Sequence, residues 1–208
     1  FSELEQTYSK RDMDRALNAI HGEVAQLELT ANDWASWDAS YQYLGDRNRG
    51  YEEENLKEET LETLNLDYLV LFGLDGRPVI SRSIDRTSGE PRPLGPDLVP
   101  ALAIPPRQPP GEADRFVRSG VLMLGDRPLL FALRPVLTSD DRGPARGYLL
   151  MARYLDEAAL ESLAERTVLD LSLSVAPGPA AADYWSGETD GGALLTSGVV
   201  ETVNRPGS

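Results

Sequence analysis

Within eight residues the chain places Trp34, Trp37, Asp38 and Tyr41, side chains that could act together on a ligand. Indole and phenol rings offer flat apolar area with a polar handle. With Asp38 as counter-charge, they could cage a cation. Two bland alternatives stand beside that reading. Both tryptophans could be core, wedging a helix onto a sheet, or Trp34 could be core while Trp37 and Asp38 lie nearer a pocket. Arg134 sits in an otherwise apolar run, between Leu133 and Pro135. A guanidinium there needs a partner, because unpaired buried charge is costly. Asp38 or a ligand carboxylate could supply it with bidentate geometry. Tyr148 alternates with Leu150 and Ala152 and so could line the same cup. These six residues are the candidate ligand-binding set. Arg153, near a strand end, is expected to cap the strand or meet a surface acid.

Other chemistry has little to stand on. There are no cysteines and one histidine, His21. Disulfides, thiolate metal sites, imidazole metal sites and His-dependent triads are therefore set aside. His21 could report pH, but a solvated helix face is the plainer reading. Glu52, Glu53 and Glu54 with Glu58 and Glu59 form an acidic face, solvated or at most a weak cation site. No phosphate loop, nucleophile elbow or metal-ligand spacing occurs. No catalytic residue, metal or cofactor is assigned.

The net charge of −14, on 208 residues, opposes nucleic-acid and anionic-lipid binding, which need clustered Lys and Arg. At 41% hydrophobic and 26% charged residues the composition is that of a globular protein. No run of about 18 apolar residues is present. The opening Phe1 fits a piece cut from a longer protein, with flanking membrane helices outside it.

Met13, Leu17, Ile20, Val24, Leu27, Ala31 and Trp34 recur at alternating steps of four and three, a heptad seam. The spacing predicts a helix of about 30 residues, roughly 45 Å long. It is either packed on its own domain or paired in a dimer. A break is expected near Thr30–Asp33, where Asn32 or Asp33 could cap a new helix. Another helix is predicted from Tyr51 to Leu64. The period then becomes that of strands. Asp67–Leu74 and Arg77–Ile84 flank the hairpin turn Asp75-Gly76. Thr87 to Glu112 is a proline-rich loop with one helical turn at Leu98–Ile104. Phe116–Met123, Arg127–Leu137 and Gly147–Tyr154 are three more strands, followed by an amphipathic helix over Leu155–Arg166. Val168–Val175 and Ala193–Val203 read as further strands. The predicted fold class is α+β: a long N-terminal helix packed on a PAS/Cache-like antiparallel sheet of about five strands. Such sheets take small ligands in a cup beneath covering loops.

The run Asn32-Asp33-Trp34-Ala35-Ser36-Trp37-Asp38-Ala39-Ser40-Tyr41 resembles the signature of the CHASE4 sensor family. Tyr51 with Asn55-Leu56 adds to the resemblance. So do Leu69-Val70-Leu71-Phe72 before Asp75-Gly76-Arg77-Pro78-Val79, and Gly147-Tyr148-Leu149-Leu150-Met151-Ala152-Arg153-Tyr154 after Arg134-Pro135-Val136. The resemblance spans roughly residues 1 to 175. It implies a non-enzymatic domain on the periplasmic, extracytoplasmic side of the bacterial inner membrane. It also implies a cytoplasmic output module, either a diguanylate cyclase or phosphodiesterase of cyclic-di-GMP signalling or a histidine kinase.

The expected organisation is a signalling helix and Trp-rich turn over 1–50, a sensor core over 51–175 and a membrane-proximal extension over 176–208. Met13, Leu17, Ile20, Val24 and Leu27 are expected to form the dimer and transmitter seam of a homodimer. The expected partner is a small-molecule or periplasmic protein signal, with no nucleic acid and membrane contact only through flanking helices. The alternative is a dimerisation or protein-interaction module with no small-molecule ligand.

Overall fold

The computed structural model of the chain describes residues 2–106, 108, 111–125, 127–167, 170–172 and 202–204. Helix α1 (Ser2–Ala35) is followed by three short helices, α2 (Asp38–Asp46), α3 (Arg49–Asn55) and α4 (Glu58–Thr63). The hairpin β1 (Tyr68–Gly73) and β2 (Pro78–Ser83) comes next. A long crossing segment carries α5 (Leu98–Leu102) and a 3-10 turn (Ala113–Arg115). The meander β3 (Arg118–Leu124), β4 (Arg127–Pro135) and β5 (Gly147–Tyr154) leads into α6 (Glu157–Thr167). Strands β6 (Asp170–Ser172) and β7 (Thr202–Asn204) form a separate two-stranded ladder.

The main sheet has five strands in the order β2-β1-β5-β4-β3, all neighbours antiparallel. The two halves, hairpin and meander, join where β1 pairs with β5. This is the α+β architecture expected, a long helix laid on a five-stranded antiparallel sheet. Gly76, in the hairpin turn, holds φ near +74°, a backbone conformation open to glycine.

Side chains alternate along each strand, so the sheet has two apolar faces. On one face Leu69, Leu71, Val121, Leu130, Ala132, Leu149 and Met151 meet α1. On the other, Val70, Phe72, Leu129, Phe131, Leu133, Tyr148 and Leu150 meet α5 and the crossing segment. Strands β1 and β5 are buried along almost their whole length, as both covers require.

The buried stripe of α1 is Ala16, Ile20, Val24, Leu27, Ala31 and Ala35. Its steps are four, four, three, four and four, not the strict heptad read from the sequence. A straight helix drifts relative to a 3.5-residue repeat. Leu17 and Trp34 at the seam's ends are therefore only partly buried, and small alanines lie against the sheet instead. Ile20, Val24 and Leu27 are buried in the chain's own core. The side chain of Met13 lies outside the described residues. His21 is half-buried rather than solvated, and its Nε2 has no hydrogen-bond partner among the described residues.

Two boundaries differ from expectation. Helix α1 does not break at Thr30–Asp33. The Thr30 hydroxyl donates back to the Gln26 carbonyl at 3.1 Å, and buried Ala31 and Ala35 hold the last turns on the sheet. The break comes at Ser36–Trp37, where Trp37 is the N-cap of α2. The helix predicted over Tyr51–Leu64 divides at Leu56, whose side chain is buried and whose carbonyl is taken by Arg82 Nε at 2.9 Å. The expected extension over 176–208 and the strand over Ala193–Val203 lie outside the described residues, apart from β7; Val168–Val175 is described only at β6.

Replacing Ile20, which is 1% exposed, by Ala should cost about 2–5 kcal/mol by urea denaturation. Leu29→Ala, at a site 63% exposed on the same helix, should change stability by about 0.5 kcal/mol or less. Equal costs at the two positions would contradict the packing of α1.

Candidate functional site

Strand alternation separates the six candidate residues. Arg134 shares its face of β4 with Leu130, Ala132 and Val136, so it faces α1. Tyr148 shares its face of β5 with Leu150 and Ala152, beneath the crossing segment. The sheet stands between them. Trp34, Trp37, Asp38 and Tyr41 lie at the α1–α2 junction, on the α1 side. The single cup expected for all six is not formed, because residues of opposite strand parity cannot share a face.

At the junction, the Trp34 and Trp37 rings meet edge to face at 6.0 Å. Trp37, 41% exposed, continues to Tyr51 at 6.1 Å, and Tyr51 stacks on Tyr43 at 4.8 Å. The Tyr51 hydroxyl is hydrogen-bonded to buried Ser40 at 2.8 Å. Burial raises the Tyr51 pKa above its ordinary value. Tyr43 donates to Glu52 Oε1 at 2.7 Å, and its pKa is raised by burial first and by that carboxylate second. Glu52 also approaches Arg82, 3.7 Å away, so one member of the acidic face is spoken for within the chain.

The polar groups of the motif meet the loop between β4 and β5 at the surface. Asp38 accepts from the Ser139 amide at 2.9 Å and from the Ser139 hydroxyl at 3.0 Å. Tyr41 donates to the Pro144 carbonyl at 3.1 Å, and the Arg146 guanidinium lies 4.0 Å over its ring. Arg146 also donates to the Tyr41 carbonyl at 3.0 Å. The Leu137 amide donates to the Ala35 carbonyl at 3.0 Å, satisfying the end of α1. The cation over this motif is therefore Arg146 of the same chain, and Asp38 holds a loop. Gly147 permits the close approach: a Cβ there would lie 2.0 Å from the Phe72 carbonyl oxygen and 2.9 Å from Leu44.

Arg134 does not pair with Asp38. Its partner is Glu28 of α1, with Nη2 to Oε1 at 3.2 Å. Burial lowers the Arg134 pKa and Glu28 opposes that shift. Its Nε is buried with no hydrogen-bond partner among the described residues. Ser119 of β3 also donates to Glu28. Arg153 of β5 is bound in the same way to Glu23, five residues earlier on α1, with Nη2 to Oε2 at 2.5 Å. That carboxylate also meets Arg166 of α6. Long helix and sheet are thus tied by charge at both ends of the Val24–Leu27 contact. The partners of Arg134 and Arg153 were not legible in the sequence, since register between a helix and a sheet is a tertiary property.

Arg86 was missed altogether. It follows β2 in an unremarkable polar run, yet its guanidinium donates to four acceptors. These are Asp67 Oδ2, Asn65 Oδ1, the Tyr154 carbonyl and Asp156 Oδ2, at 2.7–2.8 Å. Asp67 is buried and also accepts from the Tyr154 amide at 2.7 Å. One residue therefore joins the start of β1, the end of β5 and the start of α6.

On the opposite face Tyr148 is fully buried, with its ring 5.4 Å from Phe116. Its hydroxyl has no hydrogen-bond partner among the described residues, and burial, then the charge of Asp114, raises its pKa. Asp114 accepts from the Ala145 amide at 2.6 Å and lines a small cavity of about 220 Å³ with Leu74, Ala113 and Pro144. Leu98, Leu102, Phe72 and Phe131 fill the rest of this side as a packed core.

The family model of the CHASE4 domain matches residues 19–174. CHASE4 is a sensor domain, not a catalytic unit. The methanogenesis regulatory histidine kinase FilI of Methanothrix harundinacea (strain 6Ac) is 28% identical over 176 residues, covering 83% of this chain. The chain spans only 19% of that relative's length. Among solved structures, the extracellular domain of vpHK1S-Z8 is similar, with a TM-score of 0.50 at 13% identity, over 78% of this chain and 62% of that one. That likeness is one of fold.

Removing Arg86 tests the hidden node. Arg86→Leu leaves Asp67 buried and uncompensated and should cost about 3–5 kcal/mol in chemical denaturation. Adding Asp67→Asn removes the orphaned charge and should recover much of the loss. A double variant no more stable than the single one would contradict this account.

Proposed function

Since the chain belongs to the CHASE4 domain family, we propose that it is the extracytoplasmic ligand-sensing module of a membrane-bound receptor. Its output is a cytoplasmic histidine kinase or a cyclic-di-GMP cyclase or phosphodiesterase, as family membership and the histidine-kinase relative support. The placement outside the cytoplasmic membrane rests on the family.

One observation carries the mechanism: α1 is bound to β4 and β5 through two half-buried ion pairs, Glu28–Arg134 and Glu23–Arg153. Apolar contacts tolerate small sliding, whereas partly desolvated charge pairs have one good geometry. A change in sheet or loop position therefore selects a new pose of α1 instead of spreading evenly. Shifts of about 1–2 Å between helices are enough to switch receptors of this general kind. To bias the equilibrium, a ligand must bind one pose more tightly than the other by a few kcal/mol. The input lies on the loop face at Tyr148, whose buried hydroxyl has no hydrogen-bond partner among the described residues and feels the charge of Asp114. The signal then crosses the sheet through β4 and β5, whose alternate residues touch α1.

The packed loop-face core favours a second reading, a protein-interaction module with no small-molecule ligand. Leu98, Leu102 and Tyr148 leave little interior space there, and Leu74 at the rim is 43% exposed.

A thermal-shift screen of amino acids, organic acids, amines and polyamines separates the two. A ligand at 100 times its Kd adds about 2.7 kcal/mol, a shift of several degrees. The chain has no cysteine, so spin labels at Ala25→Cys and Asp140→Cys report the pose of α1 cleanly. The expected result is a stabilising ligand that changes that distance and is weakened by Tyr148→Phe. A stabilising ligand that leaves the distance unchanged would refute transmission through α1. The absence of any stabilising ligand would favour the protein-partner reading.

A further inference from the structure

Beneath α1, on the face opposite Tyr148, a cavity of about 590 Å³ opens between α1, β5, α6 and the segment after β2. Three guanidiniums line it, those of Arg86, Arg153 and Arg166, together with Ser162 and the carboxylates of Glu23 and Asp156. Their charges are unevenly matched. Arg86 is held between two carboxylates, Asp67 and Asp156. Arg153 and Arg166 share one, Glu23, each using a single Nη2 on a different oxygen. Among the described residues no other carboxylate pairs with either. Three guanidiniums and three carboxylates balance overall, but the pairing leaves the Arg153–Arg166 end with two cations on one carboxylate and the Arg86 end with one cation on two. Arg153, with a side chain only 13% exposed, shows the consequence. Burial lowers its pKa; Glu23 and, less, Asp156 oppose that shift, while the charges of Arg86 and Arg166 add to it.

We propose that this cavity is a binding site for a small organic oxyanion, a carboxylate or a phosphate ester. Arg forks suit the planar or tetrahedral oxygens of such groups, and Arg153 and Arg166 both present donors that Glu23 does not use. Ser162 supplies a hydroxyl on the same wall. The volume exceeds that of a bare inorganic ion and lies in the range of small-ligand pockets. Arg166 is the movable member: its side chain is 58% exposed, and an exposed pair with Glu23 is weak enough to exchange for a ligand. Binding would then replace the Glu23 link between α1 and α6. The site itself stands whether or not the domain signals through α1.

Calorimetric titration of the whole chain with inorganic phosphate, acetate and citrate, against sodium chloride at equal ionic strength, tests it. Saturable binding of at least one of the three is expected. Glu23→Gln removes the competing carboxylate and should tighten binding about tenfold, while Arg166→Gln should weaken it about tenfold or more. Arg49→Gln, at an exposed arginine elsewhere, should change nothing. A citrate preference would mark a carboxylate site and a phosphate preference a phosphate-ester site. No binding above chloride in either the native chain or Glu23→Gln would overturn the proposal. Binding indifferent to Arg166→Gln would do the same.

Discussion

Everything in this fold follows from a sheet that must be covered on both faces. Strands β1 and β5 lie in its interior and are buried along nearly all their residues. Apolar side chains of both parities leave water at roughly 25 cal/mol per Å² only if each face finds a partner. Helix α1 supplies one cover, and α5 with the crossing segment supplies the other. With no wet face available, polar side chains on these strands must find partners within the protein. Arg153 does so on the α1 side, as does Arg134 of neighbouring β4, and on the loop side the Tyr148 hydroxyl has no hydrogen-bond partner among the described residues.

That constraint explains why the ionic contacts are placed where they are. A guanidinium on a central strand cannot reach water past a helix without its neighbours' help. Acids at Glu23 and Glu28, within reach on one helix surface, meet the two strand arginines and leave Val24 and Leu27 to the core. Pairs of this kind contribute little net stability compared with apolar residues of the same size, but breaking one side of them is costly. Arg86 works on the same principle at the other end, joining two strands and a helix through four acceptors.

The tryptophan-rich motif has a different office. Its rings build a continuous aromatic row from Trp34 to Tyr43, and its acid and phenol bind the loop from Leu137 to Arg146. The turn between α1 and α2 is thereby fastened to the β4–β5 connection. A motif that looked like a ligand clamp is thus a joint, with Arg146 in the place of the cation.

From the chain alone one could determine the element types, because periods of two and near 3.6 are local properties of the side-chain pattern. The five strands, the Asp75-Gly76 turn and the long first helix are all written in that pattern. The family was legible too, in the run from Asn32 to Tyr41. Tertiary structure decided what sequence spacing cannot encode: which helix face meets the sheet, and which charge meets which. Heptad counting chose Leu17 and Trp34, whereas a straight helix on a twisted sheet chose Ala16 and Ala35. Arg134 needed a partner, but only the register of α1 over β4 made it Glu28 rather than Asp38. Arg86 carried no local signal, since its four acceptors lie up to 70 residues away along the chain. Pairing of that kind depends on the packing of distant elements, and so it exists only once the sheet is closed.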